Sequence, residues 1–203
     1  MQLILIRHGE SEDNRQSIIQ GQLDSALSPL GLVQAQQMAQ AMDRYRISAL
    51  YASDLQRARQ SAQAIAQRQS TITVQITPTL RERHYGILQG RTKAEIGLMA
   101  KQSLSAAYPT VEGGESIEQF EARVGAFIGR LEQQYGGDDQ AVVVLVSHLG
   151  VIRAALKRVV QMGGLSVELP ARFDNCSISV VRYGDAGRYI LERINDASSL
   201  STA

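Results

Sequence analysis

Short apolar runs alternate with amphipathic stretches through the first part of this chain. The predicted elements are strands at 3–7, 49–52 and 73–76, with helices at 29–45 and 55–68 between them. Such alternation predicts a βαβαβ unit, in which helices connect parallel strands and cover the sheet. Ser28 followed by Pro29 predicts the start of the first of these helices, because serine caps helix N-termini and proline suits the first turn.

The pattern becomes less regular from about 83 to 114 and then resumes. Ser116 and Gln119 predict a capping box that starts a helix over 117–135. The elements predicted beyond it are a buried strand at 141–147, a helix at 150–161, and strands at 177–183 and 188–194. We interpret 1–203 as a single domain and 83–114 as an excursion over its functional site.

Polar residues stand directly after three of the predicted strands. Arg7 and His8 follow the first strand, Ser53 follows the second, and His148 follows the strand at 141–147. Ligands of α/β proteins gather beyond the carboxyl ends of parallel strands, so we expect these residues at one edge of the sheet. Arg57, one turn into the next helix, can reach back toward that edge.

This set of residues suits phosphate chemistry. Guanidinium groups match phosphate oxygens in bidentate geometry, and a neutral imidazole can attack phosphorus. A solvated strand end would be the ordinary explanation of a single Arg-His pair. The convergence of two arginines and two histidines is hard to explain structurally, so we predict a site for a phosphorylated substrate.

Seven motifs carry a resemblance that covers nearly the whole chain: RHGESEDN, QGQLDSALSPLGLVQA, YASDLQRARQSA, LRERHYGILQG, EGGES, VSHLGVIR and DNCSISVV. In this order they resemble the histidine phosphatase superfamily, also called the phosphoglycerate mutase-like family. The signature RHG of that family stands here as Arg7-His8-Gly9. The resemblance implies an α/β fold, a three-layer α/β/α sandwich with a mostly parallel central sheet.

The resemblance also implies catalytic roles for five residues. His8 would be the nucleophile that becomes transiently phosphorylated, and Glu82 would be the acid and base. Arg7, Arg57 and His148 would hold the phosphoryl oxygens. Because an alkoxide leaves poorly and arginine keeps its proton at neutral pH, a carboxylic acid near the ester oxygen is what the chemistry requires.

Five further residues are candidates for substrate binding. Asn14 would add a neutral donor to the phosphoryl pocket. Gln20 belongs either to the same pocket or to a turn. Arg83, His84 and Tyr85 either contact the substrate beyond its phosphate or belong to a surface loop.

Three competing interpretations concern the acid, a metal site and the absence of catalysis. Glu10 and Glu12 are rival acids, but their position beside Arg7 fits the first turn of a helix equally well. The three histidines lack acidic partners at metal-ligand spacing, and two arginines would repel a cation, so we expect neither a metal nor another cofactor. A non-catalytic phosphate-binding module would need the arginines, but not both histidines together with Glu82.

Composition fits an enzyme that acts on a small phosphorylated metabolite. The chain has 203 residues, 44% of them hydrophobic, which is enough for a sizeable core. A net charge of +1 provides no field for nucleic acid or an anionic membrane, so we expect neither as a partner. The apolar start is too short for a membrane span or a signal sequence, which favours a cytoplasmic location. Cys176, the single cysteine, is expected in the core.

The type of phosphoryl transfer is the main alternative left open. The segment ERHYGILQG is similar to the cofactor-dependent phosphoglycerate mutases, but the excursion is shorter than theirs, and a less covered site admits water. The segments around Glu82 and GGES look like the TIGAR-type fructose-2,6-bisphosphatases, and DNCSISVV is similar to broad-specificity phosphatases. We therefore predict a metal-independent phosphatase for a sugar phosphate or bisphosphate, with phosphoglycerate mutase as the alternative.

Overall fold

A computed structural model describes residues 1–92, 94–96, 111–162, 169–170, 172–184 and 188–200. Its strands are β1 Gln2–Arg7, β2 Ala49–Ser53, β3 Val74–Thr77, β4 Val142–Ser147, β5 Ile178–Tyr183 and β6 Tyr189–Asp196. They form one sheet in the spatial order β3-β2-β4-β1-β5-β6. The pairs β1–β4, β2–β4 and β2–β3 are parallel, whereas β5 is antiparallel to β1 and to β6. The mostly parallel sheet expected from the sequence is confirmed.

The helices lie on both faces of this sheet. They are α1 Glu12–Arg15, α2 Pro29–Ala41, α3 Gln56–Arg68, α4 Ile117–Tyr135 and α5 Leu149–Met162. Side chains of α2 and α3 share one buried cluster with Ile4 and Ile6 of β1. Side chains of α4 and α5 share the other cluster with Leu3 and Leu5. Because successive strand residues point to opposite faces, the unbroken apolar run of β1 serves both layers, and the three-layer architecture follows.

Local signals set the helix boundaries. The Ser28 hydroxyl accepts a hydrogen bond from Gly31 N at 3.0 Å, and α2 begins at Pro29. Ser116 and Gln119 form the predicted capping box, in which each side chain accepts from the other backbone N–H at 3.1 and 2.9 Å. Helix α2 ends at Ala41 and is followed by a 3₁₀ turn, so the element expected to reach about 45 is shorter as an α-helix.

Three further expectations concern Cys176, the 83–114 excursion and membrane-spanning helices. Cys176 is fully buried, and burial raises the pKa of its thiol to about 12, as suits a core residue. Much of the predicted 83–114 excursion, namely 93 and 97–110, lies outside the described residues, as do residues 185–187 between the last two strands. Within the described ranges, no helix is long and apolar enough to cross a membrane.

Candidate active site

A cavity of about 250 Å³ lies beyond the carboxyl ends of the parallel strands. Its lining includes all five residues to which the sequence assigned catalytic roles: Arg7, His8, Arg57, Glu82 and His148. Pairing of Arg7 with Ser147 in the β1–β4 register brings the ends of these two strands level, so the residues that follow them become neighbours. The sheet therefore gathers side chains that are up to 141 positions apart in the chain.

His8 is held as a neutral imidazole with a defined tautomer. Its ring is buried, and its Nδ1 lies 2.7 Å from the carbonyl oxygen of Gly9. Because a carbonyl only accepts, Nδ1 carries the proton and the lone pair is on Nε2. Burial, together with the charges of Arg57 and Arg7, lowers the pKa of His8 well below 6.5. His8 thus offers an unprotonated ring nitrogen at neutral pH.

His148 lies against His8 and is also neutral. The two ring centroids are 5.1 Å apart in an edge-to-face arrangement. His148 Nε2 lies 2.9 Å from the Ser53 hydroxyl, and Nδ1 is buried without a hydrogen-bond partner among the described residues. Burial and the positive charge of Arg57 lower the pKa of this imidazole well below 6.5.

The two arginines are oriented by backbone carbonyl groups. Arg57 donates from Nη1 to Leu23 O and from Nη2 to Gly21 O, both at 2.8 Å, and Arg7 donates from Nη1 to Phe173 O. Burial lowers the pKa of Arg57 to about 10, so the guanidinium remains charged at neutral pH. The Nε atoms of both arginines are buried and lack a partner within the described part of the chain.

Buried polar atoms without a hydrogen-bond partner are uncommon in proteins, since each costs about 1–3 kcal/mol. Three of them, Arg7 Nε, Arg57 Nε and His148 Nδ1, belong to side chains that line the same cavity. A ligand that brought several oxygen acceptors to these atoms would satisfy them. The site is therefore suited to a phosphoryl group.

Glu82 is fixed at the cavity wall by two backbone donors. Its Oε1 accepts from Arg83 N at 2.8 Å, and its Oε2 accepts from Gly150 N at 2.9 Å near the start of α5. The preceding Arg81 makes a two-pronged ion pair with Asp54, with contacts of 2.8 and 2.6 Å. These contacts hold the carboxylate in one place beside the two histidines.

Three of the five predicted substrate-binding residues also line the cavity: Asn14, Gln20 and Tyr85. The side-chain oxygen of Asn14 already accepts from Ser11 N at 3.2 Å, which leaves its amide N–H groups to serve a ligand. Gln20 is buried, and its Oε1 has no partner in the described ranges.

Arg83 and His84 are not among the lining residues. The Arg83 Nε donates to Glu115 O at 2.8 Å, and the His84 Nδ1 accepts from Gly86 N at 3.1 Å. Both contacts stabilise the loop that carries Glu82. A direct contact of either residue with substrate stays a prediction.

Several site residues were not found from the sequence. The sequence pattern places Ser53 at the sheet edge but indicates no role for it, and nothing in the pattern marks Ser61 as a site residue. The Ser61 hydroxyl accepts from Gly9 N at 3.0 Å and donates to Arg57 O at 2.8 Å, which connects the His8 loop to α3. The apolar part of the wall was also missed because its residues resemble ordinary core positions: Ile18, Ile19, Leu88 and Leu149.

The described residues contain no cluster of three or more His, Cys, Asp or Glu side chains that could hold a metal ion. Arg7 and Arg57 bring positive charge to the cavity lining.

Comparison with known proteins agrees with this geometry. The model of the histidine phosphatase superfamily, branch 1, matches residues 3–197. The chain belongs to this superfamily. Two proteins of Arabidopsis thaliana are similar over almost the whole chain. Phosphoglycerate mutase-like protein 4 is 32% identical over 98% of this chain and 86% of its own length, and a metal-independent phosphoserine phosphatase is 33% identical over 99% and 84%.

A solved structure of a mycobacterial glucosyl-3-phosphoglycerate phosphatase in complex with VO3 superimposes with a TM-score of 0.82. It is 30% identical, and the match covers 96% of this chain and 98% of that one. Fructose-2,6-bisphosphatase TIGAR of Xenopus laevis is 38% identical, but over 59% of this chain and 46% of its own length. The family resemblance found in the motifs is confirmed, and these relatives support an enzyme of the phosphomonoesterase class.

Proposed function

We propose that this histidine phosphatase superfamily member is a metal-independent phosphatase that hydrolyses a small phosphomonoester through a phosphohistidine at His8. The observation that carries the proposal is that three side chains line one cavity with neutral His8, and that each has a buried polar atom without a partner among the described residues: Arg7 Nε, Arg57 Nε and His148 Nδ1. A bound phosphoryl group would accept from all three and receive the lone pair of His8.

In the first step, His8 Nε2 attacks phosphorus while the bond between phosphorus and the ester oxygen breaks. The Nδ1–H of His8 stays on the Gly9 carbonyl, so the positive charge that develops on the ring is stabilised at that hydrogen bond. Arg7 and Arg57 balance the charge of the phosphoryl oxygens. The lowered pKa of His8 supports this role because the nucleophile must be unprotonated.

Glu82 serves the leaving group and then the water. As a carboxylic acid it gives its proton to the ester oxygen as the alcohol departs. The resulting carboxylate takes a proton from water, which attacks the phosphohistidine and releases inorganic phosphate and free His8. The backbone donors on its two oxygens keep the Glu82 carboxyl group at the cavity wall, where both steps need it.

The motifs similar to TIGAR favour a sugar phosphate or bisphosphate as substrate. Arg7 and Arg57 are the only arginine or lysine residues in the described lining, and the cavity is about 250 Å³, so one phosphoryl group of a small molecule would be bound at a time. Phosphoglycerate mutase is the second candidate, favoured by the ERHYGILQG segment and by the mutase-like relative. The two activities share the phosphohistidine and differ in whether water or a second substrate hydroxyl accepts the phosphoryl group.

The test is phosphate release, with a chelator present, from fructose 2,6-bisphosphate, 3-phosphoglycerate and p-nitrophenyl phosphate. We expect release by the wild-type protein, none by His8→Ala, and a phosphoenzyme label in wild type that His8→Ala lacks. His84→Ala removes a histidine that does not line the cavity, so it should keep the phosphoenzyme label even if it changes the affinity for substrate.

Two outcomes would overturn the proposal. Isomerisation of 3-phosphoglycerate that depends strictly on 2,3-bisphosphoglycerate, without phosphate release, would make the protein a mutase. Phosphate binding without release or isomerisation would make it a binding module.

A further inference from the structure

Ser53 is a buried residue that contacts His148 but does not itself line the cavity. It ends β2, is fully shielded from solvent, and places its hydroxyl 2.9 Å from His148 Nε2. The two residues are 95 positions apart and meet because β2 and β4 pair in parallel, with Ala52 opposite Val146. A hydroxyl at this place influences His148 without reaching a substrate.

The surroundings of Ser53 determine the direction of this hydrogen bond. Its Oγ already accepts from Leu55 N at 3.3 Å, just before α3 begins. The hydroxyl hydrogen therefore needs an acceptor, and His148 Nε2 is the acceptor that lies within reach. With Ser53 as donor, Nε2 of His148 carries the lone pair.

The proton of the neutral His148 imidazole is then on Nδ1, the atom that is buried without a partner in the described structure. The opposite tautomer would leave two buried groups unsatisfied: the Ser53 hydroxyl hydrogen and the Nδ1 lone pair. It would also turn a lone pair, instead of a donor, toward any phosphoryl oxygen that approached Nδ1. The observed contacts favour the tautomer with one unpaired N–H, because each further unpaired group costs stability.

We propose that Ser53 is a positioning residue that keeps the proton of His148 on Nδ1, where it donates to the phosphoryl group during transfer. This role rests on the proposed phosphatase function, but the tautomer itself can be measured without any substrate. His148 thereby contributes a hydrogen bond without being protonated, which suits a site that already holds two arginine charges.

Nitrogen-15 NMR of the histidine rings tests the tautomer directly. The chain has three histidines, so each ring is assigned by the disappearance of its signals in one variant: His8→Ala, His84→Ala or His148→Ala. For the wild-type protein without ligand, we expect His148 to show a protonated Nδ1 and an unprotonated Nε2. A protonated Nε2 in the folded wild-type protein would overturn the proposal.

Kinetics test the consequence with a matched pair of buried serines. Ser177 is as buried as Ser53, but its hydroxyl has no partner among the described residues, so Ser177→Ala is the control. We expect Ser53→Ala to lower kcat by about 10- to 100-fold, which is at or below the usual effect of losing one transition-state donor. KM should change by less than about threefold. Ser177→Ala should leave both constants unchanged.

A variant that keeps the hydroxyl at position 53 distinguishes the loss of the hydrogen bond to His148 from a change in packing. Ser53→Thr should return most of kcat and the wild-type His148 tautomer, since threonine provides the same donor. Equal kcat for Ser53→Ala and Ser177→Ala would overturn the proposal. If the wild-type protein released no phosphate from any substrate, the proposed function would fail, and the NMR result would still decide the effect of Ser53 on His148.

Discussion

A methyl group at Gly150 should displace Glu82 and remove its contribution to catalysis. The Cβ of an alanine at this position would overlap Glu82 Oε1 and lie 3.0 Å from Glu82 Cδ and 3.2 Å from Phe120 Cζ. Carbon atoms in ordinary contact are about 3.5–4.0 Å apart, and the overlap with Oε1 is more severe than the Cδ contact, so the carboxyl group must retreat by about 1 Å or more. The retreat would also stretch the 2.9 Å hydrogen bond from Gly150 N to Oε2.

When a catalytic group is misplaced by about 1 Å, the reaction rate can fall on the order of 10²-fold. We therefore expect Gly150→Ala to lower kcat/KM by about 100-fold for the best sugar or alkyl phosphate, whose leaving group needs the proton of Glu82. Phosphoenzyme formation from p-nitrophenyl phosphate should be affected much less, because its phenolate leaves without full protonation. Stopped-flow and steady-state assays of both substrates measure the difference.

Gly125→Ala is the matched control, because it also adds a methyl group to a helix, but its nearest neighbours are atoms of Arg158 at 3.9 and 4.0 Å. Thermal unfolding of both variants checks that Gly150→Ala is folded at the assay temperature. If folded Gly150→Ala hydrolysed the sugar or alkyl phosphate within about threefold of Gly125→Ala, the reasoning about the position of Glu82 would be refuted.

Three further predictions concern the acid, the buried imidazoles and the apolar wall. Glu82→Gln should lower turnover of alkyl phosphates by about 10²- to 10⁴-fold and spare phosphorylation by p-nitrophenyl phosphate; an equal loss on both would count against the acid role. Burial lowers the pKa of His8 and His148 well below 6.5, so below that pH the unfolded chain binds protons that the native protein does not. Their contribution to the free energy of unfolding is therefore complete above pH 6.5. It falls by about 1.4 kcal/mol per pH unit per histidine below pH 6.5. Urea unfolding at pH 7.5 and 5.5 measures this loss, and equal free energies of unfolding would contradict it. Leu88→Gln should raise KM for p-nitrophenyl phosphate about fivefold, because the substrate loses an apolar contact with the cavity wall. Ile87→Gln is the control and should leave KM unchanged, because Ile87 is exposed and lies outside the lining. Equal KM values for the two variants would refute a role for this wall.

The placement of the helices and strands could be predicted because its causes are local. The helix predicted over about 117–135 runs from Ile117 to Tyr135, and its start could be predicted because the Ser116–Gln119 capping box is formed by residues three positions apart. The apolar run of β1 marks a strand covered on both faces, and His8 directly follows it. The sequence could not tell that Tyr85 lines the cavity while Arg83 and His84 are hydrogen-bonded within the loop, because side-chain direction in an irregular segment depends on its tertiary contacts.

The sequence by itself therefore determined the order of elements and the strand ends at which the phosphate-binding residue types stand. Apolar periodicity and capping act over a few neighbouring residues, and the carboxyl ends of parallel strands share one edge. Only the tertiary structure decided which buried atoms have partners and which do not. Ser53 meets His148 through strand pairing across 95 positions. Packing directs Nη donors of Arg7 and Arg57 to backbone carbonyls, while their Nε atoms have no partner among the described residues. Hydrogen-bond partners at the site depend on register and packing between distant segments, which no local pattern encodes.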